Sequence, residues 1–181
     1  MKTYISILRG INVGGHKKIL MEDLKKLYES LGFKNVQTYI QSGNVIFGCS
    51  DTNILVLVSK IEQEIKKIFA FDVSVLIRTK NEFQKLIDHN PFPKKDPSKL
   101  YVTFLSNTPS QSHIKEINIL KDKSEEFVMD DKAIYLFLPN GYGRTKLTNN
   151  FFEKILNTSA TTRNWNTINE LLKIIKKYSE D

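Results

Sequence analysis

One cysteine, Cys49, is all the thiol this chain of 181 residues has. A single thiol excludes an internal disulfide, and with it the usual staple of small exported domains, so the expected compartment is the reducing cytoplasm. Long apolar runs are missing too. No stretch approaches the eighteen or so continuous apolar residues of a membrane span, and MKTYISILRG lacks the apolar segment and small-residue cleavage site of a signal peptide. No membrane partner is expected. Histidine is scarce: His16, His89 and His113 stand far apart, with no HxxxH spacing and no Cys/His companion. That argues against a zinc site, and neither metal nor cofactor is expected. No G-x-S-x-G elbow occurs, which weighs against a serine hydrolase of the α/β type.

What is present is ordinary globular material. Hydrophobic residues make up 40% and charged residues 26%, enough for one good core or two small ones. The net charge is +7, spread evenly: 13 Lys/Arg against 9 Asp/Glu over residues 1–90, and 14 against 11 over 91–181. There is no basic tail. The excess favours anionic partners and also serves solubility.

Short apolar runs alternate with helical patterns. Residues 3–8 read as a strand, and 21–31 as a helix with Leu24, Leu27, Tyr28 and Leu31 on one face and Gly32 as its stop. Residues 36–41 and 44–47 read as strands around the turn signal Ser42-Gly43. Residues 54–70 read as a helix and 73–78 as a strand. Thr79 and Glu82 form a capping box that opens a helix to about His89. The segment NPFPKKDPSK, residues 90–99, carries three of the five prolines and is the expected linker. The order then repeats: strand 100–105, helix 113–121, a hairpin of 126–129 and 133–138 around Asp130-Asp131, helix 149–156, strand 160–163 and a closing helix 165–178.

Each half reads β-α-β-β-α-β-α, and its first six elements match the split βαβ unit. The expected fold is α+β, with two tandem ferredoxin-like units, each βαββαβ plus an extra helix and each built on an antiparallel sheet of order 4-1-3-2. The units span 1–90 and 100–181, with 91–99 between them. A single mixed sheet through both halves is the alternative. Their exposed sheet faces are expected to carry Tyr4, Tyr39, Tyr101 and Leu105, available for packing against another unit or subunit.

This topology brings distant polar clusters together. In the first unit the ends of strands one and two share a rim, which carries Arg9, Asn12, Gly14 and Gly15 beside Gln41, Ser42 and Asn44. In the second unit the ends of strands three and four share a rim, which carries Arg144 and Lys146 beside Arg163 and Asn164. Glycines combined with amides, hydroxyls and guanidinium groups can bind a polar ligand. Arg163 lies beside a helix N-terminus, where backbone donors hold anions. The competing reading is an arginine bracing loop carbonyls, with Asn164 as an N-cap and Trp165 as a core residue.

Three specific chemistries fit poorly. A P-loop needs Gly-x4-Gly-Lys-Ser/Thr; Gly10 and Gly15 have the spacing, but His16 and Lys17 stand where the lysine and hydroxyl belong. What survives is an anion nest of backbone N–H groups at Gly14-Gly15 with Lys17 and Lys18 nearby. An RNA-stacking sheet needs several aromatics on its third strand, and SGNVIFG has Phe47 alone. Cys49 reads as a small buried hydrophobe.

The segments LRGINVGGHKKI, TYIQSGNVIF and TTRNWNTINELL, in that order, resemble the bacterial family known as domain of unknown function 1697. The resemblance runs over essentially the whole chain. It implies the tandem ferredoxin-like fold and no particular activity. Family members carry serine in a GxxRSK-like segment where this chain has Thr145, which keeps the hydroxyl and weighs against a nucleophile there.

The function expected from these residues is a binding module for a phosphate-bearing ligand, small molecule or nucleic acid. The alternatives are a metal-independent enzyme acting on a small anionic substrate, for which no general base is evident, and a structural or interaction protein.

Overall fold

A computed structural model describes residues 1–177. Strands and helices run β1 (Lys2–Leu8), α1 (Met21–Ser30), β2 (Lys34–Tyr39), β3 (Asn44–Cys49), α2 (Ile54–Phe69), β4 (Val75–Thr79), α3 (Lys80–Asp88), β5 (Leu100–Leu105), α4 (Ile114–Leu120), β6 (Glu126–Asp130), β7 (Ala133–Phe137), α5 (Asn149–Leu156), β8 (Ala160–Asn164) and α6 (Trp165–Lys177). The expected end of the last helix at Tyr178 lies outside the described residues. The architecture is α+β, with two separate four-stranded antiparallel sheets ordered β2-β3-β1-β4 and β6-β7-β5-β8. The strand order read from the sequence is the order found, and the single mixed sheet is set aside.

The chain divides into two compact units. Among the described residues, one holds 1–84 together with 171–177, and the other holds 85–170. The proline-rich segment 91–99 therefore falls inside the second unit, and α3 and α6 each contribute residues to both.

In the first unit β1 alternates sharply. Tyr4 and Leu8 point into a core shared with Val45, Phe47, Val75 and Ile77 from the sheet, Leu24, Leu27 and Tyr28 from α1, and Leu57, Ile61 and Ile65 from α2. Tyr4, Tyr28, Phe33 and Phe47 form an aromatic cluster with ring centroids 4.5–5.8 Å apart. Ser6 puts a buried hydroxyl on this face, and it meets the Tyr28 hydroxyl at 2.6 Å. Burial pushes the Tyr28 phenol well above its ordinary pKa. The opposite face is buried as well: Ile5, Ile7, Ile46 and Leu76 are all inaccessible. In the second unit Leu105, Ile134, Leu136 and Ala160 pack with Ile117 of α4 and Phe152 and Leu156 of α5.

The expectation that Tyr4, Tyr101 and Leu105 stand on exposed sheet faces therefore needs correction. Tyr4 is 1% exposed and Leu105 fully buried, each on the helix-covered face. Tyr101 packs against the second core and on the Tyr142 ring at 5.5 Å. Side chains alternate across a strand, and β1 and β5 put these positions under their helices rather than on the opposite face.

Local signals explain the helix ends. Asn53 Oδ1 accepts from Leu55 and Val56 N–H at the start of α2. Thr79 and Glu82 make the reciprocal box before α3, with Thr79 N donating to Glu82 Oε2 at 2.7 Å and Glu82 N to Thr79 Oγ1 at 3.2 Å. Asn164 Oδ1 accepts from Thr167 N–H at 2.8 Å and so caps α6, as read from the sequence.

Candidate functional site

The long connection between β1 and α1 and the turn between β2 and β3 meet at one edge of the first sheet. Strand register dictates this, because Ile7 and Tyr39 both pair with Asn44. Leu8 N donates to Gly43 O at 2.8 Å, and Arg9 N to Ser74 O at 2.9 Å, so the start of β4 joins the same edge. Asn12 ties the loop together. Its Nδ2 donates to Ile19 O and to Gln41 O, each at 2.9 Å, and its Oδ1 accepts from Ile19 N at 2.8 Å. Asn44 is fully buried, and its Nδ2 donates to Tyr39 O and Ser42 Oγ at 3.0 Å each. The convergence of Asn12 with Gln41, Ser42 and Asn44 is thus observed, while both asparagine amides are spent on the loops themselves.

The groups left at the surface of this edge are Gly14, Gly15, His16, Lys17 and Lys18, all exposed. Of these, Gly15 and Lys18 border a cleft of 550 Å³. Its polar lining is Asn12, Gly15, Lys18, Asp23 and Gln41; its apolar lining is Ile19, Leu20 and Phe69. The N-terminal turn of α1 opens toward it without a side-chain cap on Leu20. Sequence reading did not find Phe69, which comes from the last turn of α2. Only the length and direction of that helix carry it back to this edge.

A second, smaller hollow of 230 Å³ lies on the other side of the loop, walled by Arg9, Lys17, Glu62, Asp72, Val73 and Ser74. Lys17 Nζ donates to Asp72 O at 2.6 Å and fixes the loop to the approach of β4. Glu62 Oε1 accepts from Val75 N–H at 2.8 Å. Burial of this carboxyl raises its pKa; the Val75 N–H pulls it back and Asp72 pushes it further up.

The second rim is arranged differently from its expectation. The 141–149 loop does reach β8, but through Thr162: its hydroxyl donates to Asn149 Oδ1 at 2.6 Å and meets Thr103 Oγ1 at 2.8 Å and the Tyr142 hydroxyl at 3.3 Å. Arg163, next in the strand, points to the opposite face and is 8% exposed. Its Nη1 donates to Thr161 Oγ1 at 3.0 Å and Thr162 O at 2.9 Å, which are bracing contacts. Arg144 and Lys146 remain exposed in the loop. Thr145 is buried, and its Oγ1 accepts from Leu147 N–H at 3.0 Å, a hydrogen-bonding role. Among the described residues no group of three His, Cys, Asp or Glu could hold a metal ion, and no helix is long and apolar enough to cross a membrane.

The family model described as protein of unknown function DUF1697 matches residues 1–135, from β1 into β7. Among solved structures, the conserved bacterial protein SP0830 from Streptococcus pneumoniae has a similar fold, with a TM-score of 0.72 at 23% identity over 95% of this chain and 97% of that one. No curated protein matches the sequence.

Proposed function

The chain belongs to the DUF1697 family, and on that footing we propose that it is a binding module for a small phosphate-bearing ligand, seated in the cleft between the glycine loop and the β2–β3 turn. The observation that carries this reading is the lining of that cleft, which combines polar groups with the apolar side chains of Ile19, Leu20 and Phe69. Its 550 Å³ falls within the usual range for small-molecule sites, about 300–1,000 Å³. Ile19, Leu20 and Phe69 offer an apolar surface for a planar ring. Lys18 and the backbone at Gly15 offer positive charge and donors to a phosphate, and Asp23 and Gln41 offer acceptors to hydroxyls or amines. A nucleotide has all three parts. Asn12, Ser42 and Asn44 shape the loops, and Arg9 stands on the far side of the connection. Arg144 and Lys146 add an exposed cationic turn in the second unit.

Calorimetric titration with a nucleoside monophosphate, inorganic phosphate and a short oligonucleotide tests this at two salt concentrations. The mononucleotide is expected to bind best, more weakly at high salt. Lys18→Glu is expected to cost about tenfold or more in affinity, since a hydrogen bond to a charged group contributes roughly 1.5–3 kcal/mol. No binding at low salt overturns the reading.

We also propose that the two units are ferredoxin-like copies of one ancestral unit, working in the cytoplasm. Equivalent positions repeat the same contacts, which supports this. Arg9 N donates to Ser74 O, and Ser106 N to Ser159 O. Glu62 Oε1 accepts from Val75 N–H, the partner of Leu8, as Glu153 Oε1 accepts from Ala160 N–H, the partner of Leu105. Arg78 and Arg163 hold matching places in β4 and β8, and each donates from Nη1 to the preceding carbonyl at 2.9 Å. The free thiol of Cys49 fits a reducing compartment.

A further inference from the structure

Three polar side chains on the lining of the 550 Å³ cleft are unspent. Among the described residues, Lys18, Asp23 and Gln41 make no side-chain hydrogen bond and no ion pair. Asp23 stands out among the acids of its helix. Helix α1 carries Glu22, Asp23 and Glu29. Glu22 pairs with Lys26 at 2.8 Å, and Glu29 with Lys25 at 3.9 Å. Both lysines of the helix are thus taken, and Asp23 is left as an exposed carboxylate at the cleft. An acid in the first turn suits the helix dipole, but Glu22 already supplies one there. The dipole therefore does not account for Asp23.

Resting on the nucleotide reading of this cleft, we infer that Asp23 selects the base and that the ligand is a guanine nucleotide. At neutral pH a carboxylate accepts hydrogen bonds and donates none, and its two oxygens can take two parallel donors. Guanine alone among the common bases sets two donors side by side on its pairing edge, the ring N1–H and the N2 amine. Adenine and cytosine set an amine beside a bare ring nitrogen, whose lone pair opposes a carboxylate oxygen. Uracil sets one N–H between two carbonyl oxygens. Charge decides which part of the nucleotide Asp23 meets. Lys18 is the cation of the lining and takes the phosphate. Repulsion between like charges falls with their separation, so the carboxylate belongs at the end remote from the phosphate. That end is the base edge rather than the ribose diol. Stacking on Phe69 favours no particular base, which leaves the choice to the polar groups. The Gln41 amide offers N–H donors for the guanine O6 carbonyl next to N1.

The test is calorimetric titration of the full chain, at one ionic strength, with the 5′-monophosphates of guanosine, inosine, adenosine and 2′-deoxyguanosine. Guanosine monophosphate is expected to bind about tenfold or more tighter than inosine monophosphate, which lacks only the N2 amine, and than adenosine monophosphate. The deoxy analogue is expected to match guanosine monophosphate. Asp23→Asn puts a donor where one acceptor oxygen stood, the pattern that complements the amine and bare N1 of adenine. It is expected to lose about tenfold or more for guanosine monophosphate and to bind the adenine nucleotide at least as well as the guanine one. An effect through helix stability alone would weaken all of these nucleotides by the same factor. Should the variant not fold, the native series decides alone. Equal affinity for guanine and adenine nucleotides, an unchanged preference in Asp23→Asn, or a loss confined to the deoxy analogue overturns the proposal and leaves a nucleotide cleft in place. If none of the nucleotides binds, the reading of the cleft falls, and the base preference with it.

Discussion

Asn12 has a backbone φ of 56°, a left-handed conformation that asparagine tolerates better than most residues. Its three side-chain hydrogen bonds then lock the glycine loop to the β2–β3 turn. Gly43, across the same junction, is constrained in a different way. Its φ is 77°, and a Cβ there would lie 2.8 Å from Leu8 Cβ and 2.8 Å from Ile11 Cδ1. Leu8 sits in a fully buried strand position and has no room to move. Gly43→Ala therefore combines left-handed strain with overpacking, and urea denaturation is expected to show a loss of about 2–4 kcal/mol. Gly10 is a matched control, with φ 68° and nothing within 4 Å of its would-be Cβ. Gly10→Ala is expected to cost only the backbone part, about 1–2 kcal/mol. Equal losses at the two positions would mean that the Leu8–Ile11 contact does not constrain the turn.

At the scale of elements, α2 is the clearest case of a helix specified locally and used globally. Asn53 satisfies two of its first free N–H groups, the apolar stripe Leu57, Ile61 and Ile65 faces the sheet, and Ala70 closes it in the left-handed region. Asn53→Ala is expected to lower stability by about 1 kcal/mol, read as a shift in the urea midpoint at unchanged slope. A changed slope would mean that the substitution altered the denatured ensemble or the two-state behaviour instead. The span of this helix was legible in the sequence because its apolar residues recur at helical spacing, whereas the Asn53 cap and the place of Leu57 in the buried stripe were not. The capping box at Thr79 was legible too, whereas β1 was legible as a strand but not as to which face Tyr4 takes. Less legible were the strand starts. β4 begins at Val75 rather than Val73, because Arg9 binds Ser74 O outside the ladder and Glu62 takes the Val75 N–H. The site was legible only as a meeting of loops. Topology placed Asn12 beside Gln41 and Asn44, but no pattern in the chain says that the two asparagine amides are spent on the loops themselves. Nor does any pattern say that Phe69 and Glu62, two turns apart on α2, wall two separate hollows. Those facts depend on helix length and on how the helix crosses the sheet.

For the whole molecule, an excess of seven positive charges acts at every pH near neutrality. Self-repulsion of that kind destabilises the compact state slightly, and added salt screens it. Any anionic compound will therefore raise the melting temperature somewhat, so a bare thermal shift with a nucleotide is no evidence of a site. The discriminating comparison holds ionic strength fixed. Sodium chloride supplies screening alone, whereas a nucleoside monophosphate at matched ionic strength supplies screening plus occupancy of the cleft. At a hundred times its dissociation constant, a ligand that binds only the folded chain adds about 2.7 kcal/mol. For a chain of this length that corresponds to a rise of several degrees, roughly 2–4 °C per kcal/mol. The excess over chloride is expected in the native chain and is expected to shrink toward zero in Lys18→Glu, whose cleft presents a carboxylate to the phosphate. If the nucleotide and matched chloride give the same melting temperature, the charge of this protein acts on its surroundings as a diffuse field, and the cleft is a feature of packing.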